Sequence, residues 1–220
     1  MTSDLKKKAL ASLEGKWGLG AGVTFLYYIL TAAGIYLVLG AVMLLMIPLM
    51  GSDMEEIWSG LLHLIYMVVS LFITGIMMLG LLNVYLKLAR GENAGAEDLF
   101  RYFRGKSQMW LAFKSVFLVG LYTLLWSLLL VIPGIIKSFS YSMTYFILLE
   151  KPHYTVHQAI DESKRIMQGH KMDLFLLMLS FIGWFLLCAV TFGIAYFWVT
   201  PYATVAMAHF YAKIKEEAAE

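Results

Sequence analysis

The chain has 220 residues, 60% of them hydrophobic and only 15% charged, with a formal net charge of +2 and a mean hydropathy of +0.73. A soluble domain of this size carries about 25% charged residues, so an ordinary water-soluble globule is excluded. The charges collect in short clusters between long uncharged stretches, which is the pattern of a chain solvated by lipid. The single cysteine, Cys188, sits in an apolar stretch, cannot form an intrachain disulfide, and reads as a small buried residue.

From Gly18 to Met50 there are 33 residues without a formal charge, about 50 Å of helix against a hydrocarbon core of about 30 Å. One tilted, retained span ending near Pro48 accounts for them. A second span runs from Ile57 to Leu86, with His63 and Asn83 as its strongly polar groups. The connection GSDMEE between them is acidic, whereas Lys6, Lys7, Lys8 and Lys16 precede the first span. The positive-inside bias therefore predicts a cytoplasmic N-terminus. Trp17, Trp58 and Trp110 fall at predicted span ends, like an aromatic belt, whereas Trp126, Trp184 and Trp198 fall inside spans. Gly18 and Gly22 have the spacing of a close helix contact.

Lys87 to Lys114 holds six Lys and Arg residues and is expected on the cytoplasmic side. Within it, AEDLFRYFR places Ala96, Leu99, Phe100, Tyr102 and Phe103 on one side of a helix and Glu97, Asp98, Arg101 and Arg104 on the other. This describes a short interfacial helix or, equally, a solvated helix packed on the base of the bundle.

Ser115 to Ile136 is long enough to span, but Pro133 and Gly134 interrupt it, and a second apolar run from Ile135 to Leu149 follows. A single crossing would put Lys151, Lys164, Arg165 and Lys171 outside. A hairpin turning at Pro133 and Gly134 returns them to the cytoplasm and is the preferred reading. Next comes an amphipathic helix with an N-terminal capping box at Thr155 and Gln158 and a stop at Gly169. Val156, Ala159, Ile160, Ser163, Ile166 and Met167 share one face, so it is expected along the inner membrane surface. The 39 residues from Leu174 to Ala212 lack Asp, Glu, Lys and Arg, too long for one crossing, and two crossings turning at Thr191, Phe192 and Gly193 fit. The expected fold is all-α: a polytopic transmembrane bundle of about six segments, with both termini inside and 16 of the 17 Lys and Arg residues cytoplasmic, Lys137 being the exception.

Several motifs together resemble a known family. They are LEGKWG, LARGE followed by DLFRYFR, IPGIIKSFSYSMTYFILLE, AIDESKRIMQGHK, LSFIGW, WVTPY and the late FY. Their combination, covering almost the whole chain, is similar to the bacterial integral membrane family catalogued as domain of unknown function 975. The proline-glycine turn and the helix after it are more distantly similar to the membrane domain of some glycerophosphodiester phosphodiesterases, whose catalytic domain has no counterpart here. The resemblance implies a protein of the bacterial cytoplasmic membrane and supplies no activity.

On a continuous helix after Pro133, Lys137, Ser140, Tyr141, Thr144 and Tyr145, with Ser138 beside them, form a polar stripe opposite Ile136, Phe139, Met143 and Phe146. Such a stripe at membrane depth turns inward because unpaired polar groups in hydrocarbon are costly. It is either a cavity in which Lys137 meets a lipid phosphate or a carboxylate, or a set of interhelical hydrogen bonds with Lys137 snorkelling to the headgroups. His63 joins the candidates as an intramembrane ionisable group or as an interfacial one. No metal or cofactor site is expected: His153 and His157 are separated by the N-cap Thr155, and His63, His170 and His209 lie on separate segments. No nucleophile elbow, phosphate loop or intramembrane carboxylate cluster is present, and Asp161 and Glu162 pair with Lys164 and Arg165 on a solvated face. The expected function is non-enzymatic: binding or moving a lipid-like or small amphiphilic ligand, or alternatively a scaffold that engages a membrane or cytoplasmic protein. Membrane lipids are the expected partners, and nucleic acid is not.

Overall fold

The computed structural model describes residues 1–46 and 55–218. Its helices are α1 (Thr2–Leu13), α2 (Trp17–Met46), α3 (Glu55–Ala89), a 3₁₀ helix (Ala96–Phe103), α4 (Lys106–Leu129), α5 (Val131–Tyr141), α6 (Thr144–Glu150), α7 (Val156–Ile166), α8 (Lys171–Leu179), α9 (Ile182–Val190) and α10 (Tyr196–Glu217). Among the described residues there is no strand. Among the described residues, five stretches are long and apolar enough to cross a membrane: Trp17–Leu45, Ile57–Ala89, Lys106–Leu129, Val131–Glu150 and Lys171–Val190. The chain is a multi-pass, all-α membrane protein.

The sixth expected segment, Ile194 to Tyr211, corresponds to α10, which is less apolar than the other five. The reason is its position. Val199, Tyr202, Val205, Ala206, Ala208, Phe210, Tyr211 and Ile214 are buried, and the helix packs against α1, α2, α3 and α9. A membrane helix enclosed by protein is selected for close packing, with small and hydrogen-bonding residues, rather than for lipid contact. α2 shows the opposite case: few of its side chains are buried, and its apolar residues occur all round the axis because lipid is the intended neighbour on most sides.

Close approaches between helices are set by glycines. Gly18 and Gly22 have nothing within 4 Å of where a Cβ would stand, so the expected contact is displaced by two residues. Gly20 makes it instead, its Cβ position lying 3.0 Å from Pro201 Cβ of α10. A Cβ at Gly80 would overlap the Leu99 carbonyl, which lays the 3₁₀ helix directly on the α3 backbone. The segment expected as an α-helix is a 3₁₀ helix over Ala96–Phe103, with three residues per turn. Leu99 and Tyr102 are buried on α3 while Phe100 and Phe103 stay exposed, so its apolar face is divided between protein and lipid.

The hairpin expected after α4 is present, with its turn displaced toward the N-terminus. Leu130 is the extended residue that reverses the chain (φ −161°, ψ 141°), and Pro133 and Gly134 lie in the first turns of α5. Proline suits that position because early helical N–H groups have no intrahelical acceptor. Gly134 is required by packing, since a Cβ there would overlap the Ser127 hydroxyl of α4. The return arm breaks at Ser142 and Met143, between α5 and α6. The next apolar stretch likewise breaks at Ser180 and Phe181, between α8 and α9. The turn expected at Thr191 to Gly193 is observed, with Phe192 at φ 51° and Gly193 at φ 86°. The end of the first span near Pro48 and most of the GSDMEE connection lie outside the described residues.

Candidate functional site

The break between α5 and α6 divides the predicted polar stripe. Lys137 stands over the Trp126 ring of α4, 4.6 Å from its centroid, a cation–π contact along the hairpin. Ser140 and Ser138 spend their hydroxyls on carbonyls of their own helix, Ile136 and Ile135. Tyr141 is buried beside Tyr122, with Lys164 over its ring. Thr144 is fully buried with no hydrogen-bond partner for its hydroxyl, and Tyr145 packs against the main core. His63 bonds the Ser59 carbonyl within α3 and lines a separate groove with Leu39, Met43, Leu62 and Tyr66. The six residues therefore do not line one cavity. What fills the interior beside the stripe is Ser163 of α7, whose hydroxyl donates to the Ser140 carbonyl at 2.8 Å and accepts from Met143 N–H at 3.2 Å. These are backbone groups at the helix break, so one buried serine satisfies what the interruption exposes.

An open groove of about 740 Å³ lies between α4 and the loop joining α6 to α7. Trp110, Phe113, Phe117 and Leu118 of α4 form its apolar wall, and Lys114, Ser107, His153, Tyr154 and His157 form its polar border. Helical spacing explains the wall: residues 110, 113, 114 and 117 are three or four apart and share one side of α4. The rings of Trp110 and Phe113 stack at 5.2 Å, those of Phe113 and Phe117 stack at 5.9 Å, and Lys114 stands 5.5 Å from the Trp110 centroid. His153 enters from the loop before the N-cap and His157 from the first turn of α7, which is how two histidines on different faces reach one groove. The Tyr122 hydroxyl stands 3.5 Å from His157 Nδ1. Sequence spacing separates these histidines, and the link to Lys114, some forty residues earlier, exists only after folding.

A second polar cluster was legible in the sequence only in its local pair of Glu162 and Arg165. Glu150, at the end of α6, accepts from Tyr211 at 2.8 Å and Lys215 at 2.6 Å on α10, and pairs closely with Arg90 beyond α3. Glu162 of α7 pairs with Arg165 and with Lys151. Hydrogen bonds from Arg165 hold the Glu162 carboxyl below its ordinary range, with Lys151 adding to the effect. The Tyr154 hydroxyl and Glu162 hold the Lys151 ammonium above its own. Burial, helped by Arg90 and Lys151, lowers Lys215. These pairs bring the C-terminal ends of α3, α6 and α10 together, and His170 at the start of α8 faces Glu217 at 3.5 Å. One end of the bundle is thus polar and predominantly basic. α7 closes this end as expected from its capping box: Gln158 N–H donates to Thr155 Oγ1 and Thr155 N–H to Gln158 Oε1. Its apolar face is spent on Tyr141, Leu118, Tyr122 and the core rather than on the membrane surface.

The groove offers one ammonium, two imidazoles and hydroxyls beside an aromatic wall, and among the described residues no group of three or more His, Cys, Asp or Glu is placed to share a metal ion. No curated protein and no solved structure matches the chain. The profile of the family described as "Protein of unknown function (DUF975)" matches residues 128–218, which run from the tip of the α4–α5 hairpin to the end of α10. The motifs from IPGII to the final FY lie within that match, and over those residues the chain is similar to that family.

Proposed function

We propose that this is a non-enzymatic protein of the bacterial cytoplasmic membrane, its termini on the cytoplasmic side, that binds an anionic amphiphile in the groove between α4 and the α6–α7 loop. The observation that supports this reading is the meeting, in about 740 Å³, of an aromatic wall with a border of Lys114, Ser107, His153 and His157. Ligand sites of small-molecule size occupy roughly 300–1,000 Å³ and combine an apolar lining with a few polar groups. A phosphate is matched by the compact ammonium of Lys114, with its three donors, and by imidazole and hydroxyl donors beside it. An acyl chain is matched by Phe113, Phe117 and Leu118, whose helix continues into the apolar span. The basic character of this end supports the cytoplasmic orientation.

The test is lipid retention measured by native mass spectrometry after exchange into a neutral detergent containing equal phosphatidylglycerol and phosphatidylcholine. The protein is expected to retain the anionic lipid preferentially. Lys114→Gln lowers that retention roughly tenfold, the effect of one lost charge-assisted hydrogen bond, and Phe117→Ala lowers retention of both lipids. Equal retention of the two lipids, or a Lys114→Gln protein that still prefers the anionic one, would refute the proposal and favour a scaffold whose exposed α7 face meets a protein.

A further inference from the structure

The α2–α3 and α8–α9–α10 hairpins of this protein reach different distances from its polar end, and the hairpin tips differ in chemistry. α2 and α10 run antiparallel. The Tyr28 hydroxyl bonds the Tyr196 hydroxyl at 2.9 Å, and the Phe25 and Phe197 rings meet at 5.5 Å, so α10 begins beside the middle of α2. Beyond Tyr28, α2 continues for 18 residues to Met46, about 27 Å and close to a whole hydrocarbon thickness. Over that length Leu39 and Met43 share a groove with His63 and Tyr66 of α3, and Leu37 and Val38 share another with α3 and with Trp110 and Phe113 of α4. The α8–α9–α10 hairpin therefore ends far short of the α2–α3 hairpin.

Its tip is also apolar. Phe192 is 98% exposed, with Val190 and Ile194 exposed beside it. The α4–α5 tip is similar: Leu128, Leu129, Leu130, Val131 and Ile132 are all at least 64% exposed. The charged residues nearest that tip are Lys114, 16 residues before Leu130, and Lys137, whose ammonium turns back over Trp126. By contrast, the α2–α3 connection carries Asp53, and Glu55 and Glu56 follow it at the start of α3. Carboxylates require water, and a row of exposed leucines does not tolerate it.

Both apolar turns satisfy much of their own backbone, which is the condition for non-helical chain inside hydrocarbon. At the first, Leu130 N–H donates to the Trp126 carbonyl and Gly134 N–H to the Leu130 carbonyl, and Pro133 has no N–H to satisfy. At the second, Gly193 N–H donates to the Cys188 carbonyl at 2.7 Å and Ile194 N–H to the Thr191 carbonyl at 3.1 Å. Thr191 turns its hydroxyl inward, donating to the Leu187 carbonyl and accepting from Ala195 N–H. Thr123 and Ser127 on α4 bond their own helix in the same manner.

We infer that the α4–α5 and α8–α9–α10 hairpins are re-entrant: they enter the bilayer from the polar end and turn within the acyl region, the α8–α9–α10 hairpin displacing lipid from that leaflet only, while α2–α3 alone crosses. The protein then occupies more area in the leaflet at its polar end than in the other, and the surface it fits is a leaflet under expansion.

The test places single cysteines at Leu130, Phe192 and Ser52 in a Cys188→Ala background, attaches a nitroxide in detergent, and reconstitutes the full chain. Collision with oxygen and with a water-soluble nickel chelate is then read by paramagnetic resonance. The labels at 130 and 192 are expected to meet oxygen freely and to be shielded from nickel, whereas the label at 52 is open to nickel. Nickel access at 130 or 192 matching that at 52 would overturn the inference, since that tip would then lie in water. For protein inserted with its polar end outward, density on tubules pulled from giant vesicles should exceed that on the flat parent membrane. A ratio of one or less would overturn the leaflet asymmetry.

Discussion

The distal half of the α2–α3 pair and the assembly of α6, α7 and α10 follow opposite rules. Along α2 beyond Tyr28, Tyr36, Leu37, Leu44 and Leu45 are largely exposed, and Gly34 meets Ile73 of α3 as one of few internal contacts. In α6, Phe146, Ile147, Leu148 and Leu149 are all buried, the Phe146 ring stacks on Tyr211 at 5.5 Å, and the next residue, Glu150, anchors three partners. The first region is held by the bilayer, which supplies its apolar surroundings without specifying a partner. The second is held by protein against protein, so its side chains are specified by shape and hydrogen bonding. Hydropathy identifies the first kind of segment and passes over the second, which is why α10 is the least apolar of the long helices and the most enclosed.

Substitutions can break this contrast. Phe146→Ala removes a ring that is 2% exposed and is expected to cost about 3–5 kcal/mol, read as a large fall in the thermal midpoint in detergent. A midpoint within a degree of the parent would show that α6 is not part of the stabilising core. Gly80→Val drives a side chain into the Leu99 carbonyl; overpacking of this kind costs about 1–3 kcal/mol, and protease sensitivity should rise first in the 3₁₀ segment. Thr155→Ala deletes the side-chain half of the capping box. The expected loss is about 1 kcal/mol, with Thr155→Ser close to the parent in the same melt, and an equal loss in both variants would argue against a capping role. Leu45→Ala, at a side chain 75% exposed, should change the midpoint by less than about 0.5 kcal/mol equivalent. A larger effect would mean that this part of α2 has a protein neighbour in solution.

Local signals in the sequence held where their physics is local. The capping box at Thr155 and Gln158 depends on residues three apart, and Gly169 stops the helix at φ 82°. The buried face of α7, Ser163 included, follows from helical periodicity alone. The turn at Thr191 to Gly193 is legible because Gly193 supplies the left-handed backbone. Pro133 and Gly134 misplace the first hairpin turn because they mark two different needs. Proline lacks an N–H that the start of α5 would leave unpaired, and glycine makes room for Ser127, while the reversal itself falls on Leu130, which carries no turn signature. The same limit separates Gly18 and Gly22 from Gly20: spacing shows that small residues recur, and only the approach of Pro201 shows which one is needed.

What the sequence by itself determined is the solvent of each segment. Uncharged length, clustered basic residues and amphipathic periodicity assign lipid, water or the boundary between them, because transfer free energy depends on the side chain and its neighbours in the chain. What only the tertiary structure decided is which polar groups meet. The polar stripe from Lys137 to Tyr145 dissolves because α5 ends at Tyr141 and Ser163 takes over the break. The groove forms because the loop before α7 brings His153 and His157 to Lys114 of α4. Glu150, with nothing in its local sequence to distinguish it, joins α3, α6 and α10. These contacts link residues tens of positions apart, and the free energy that selects them is gained only when whole helices pack, so no local pattern records it.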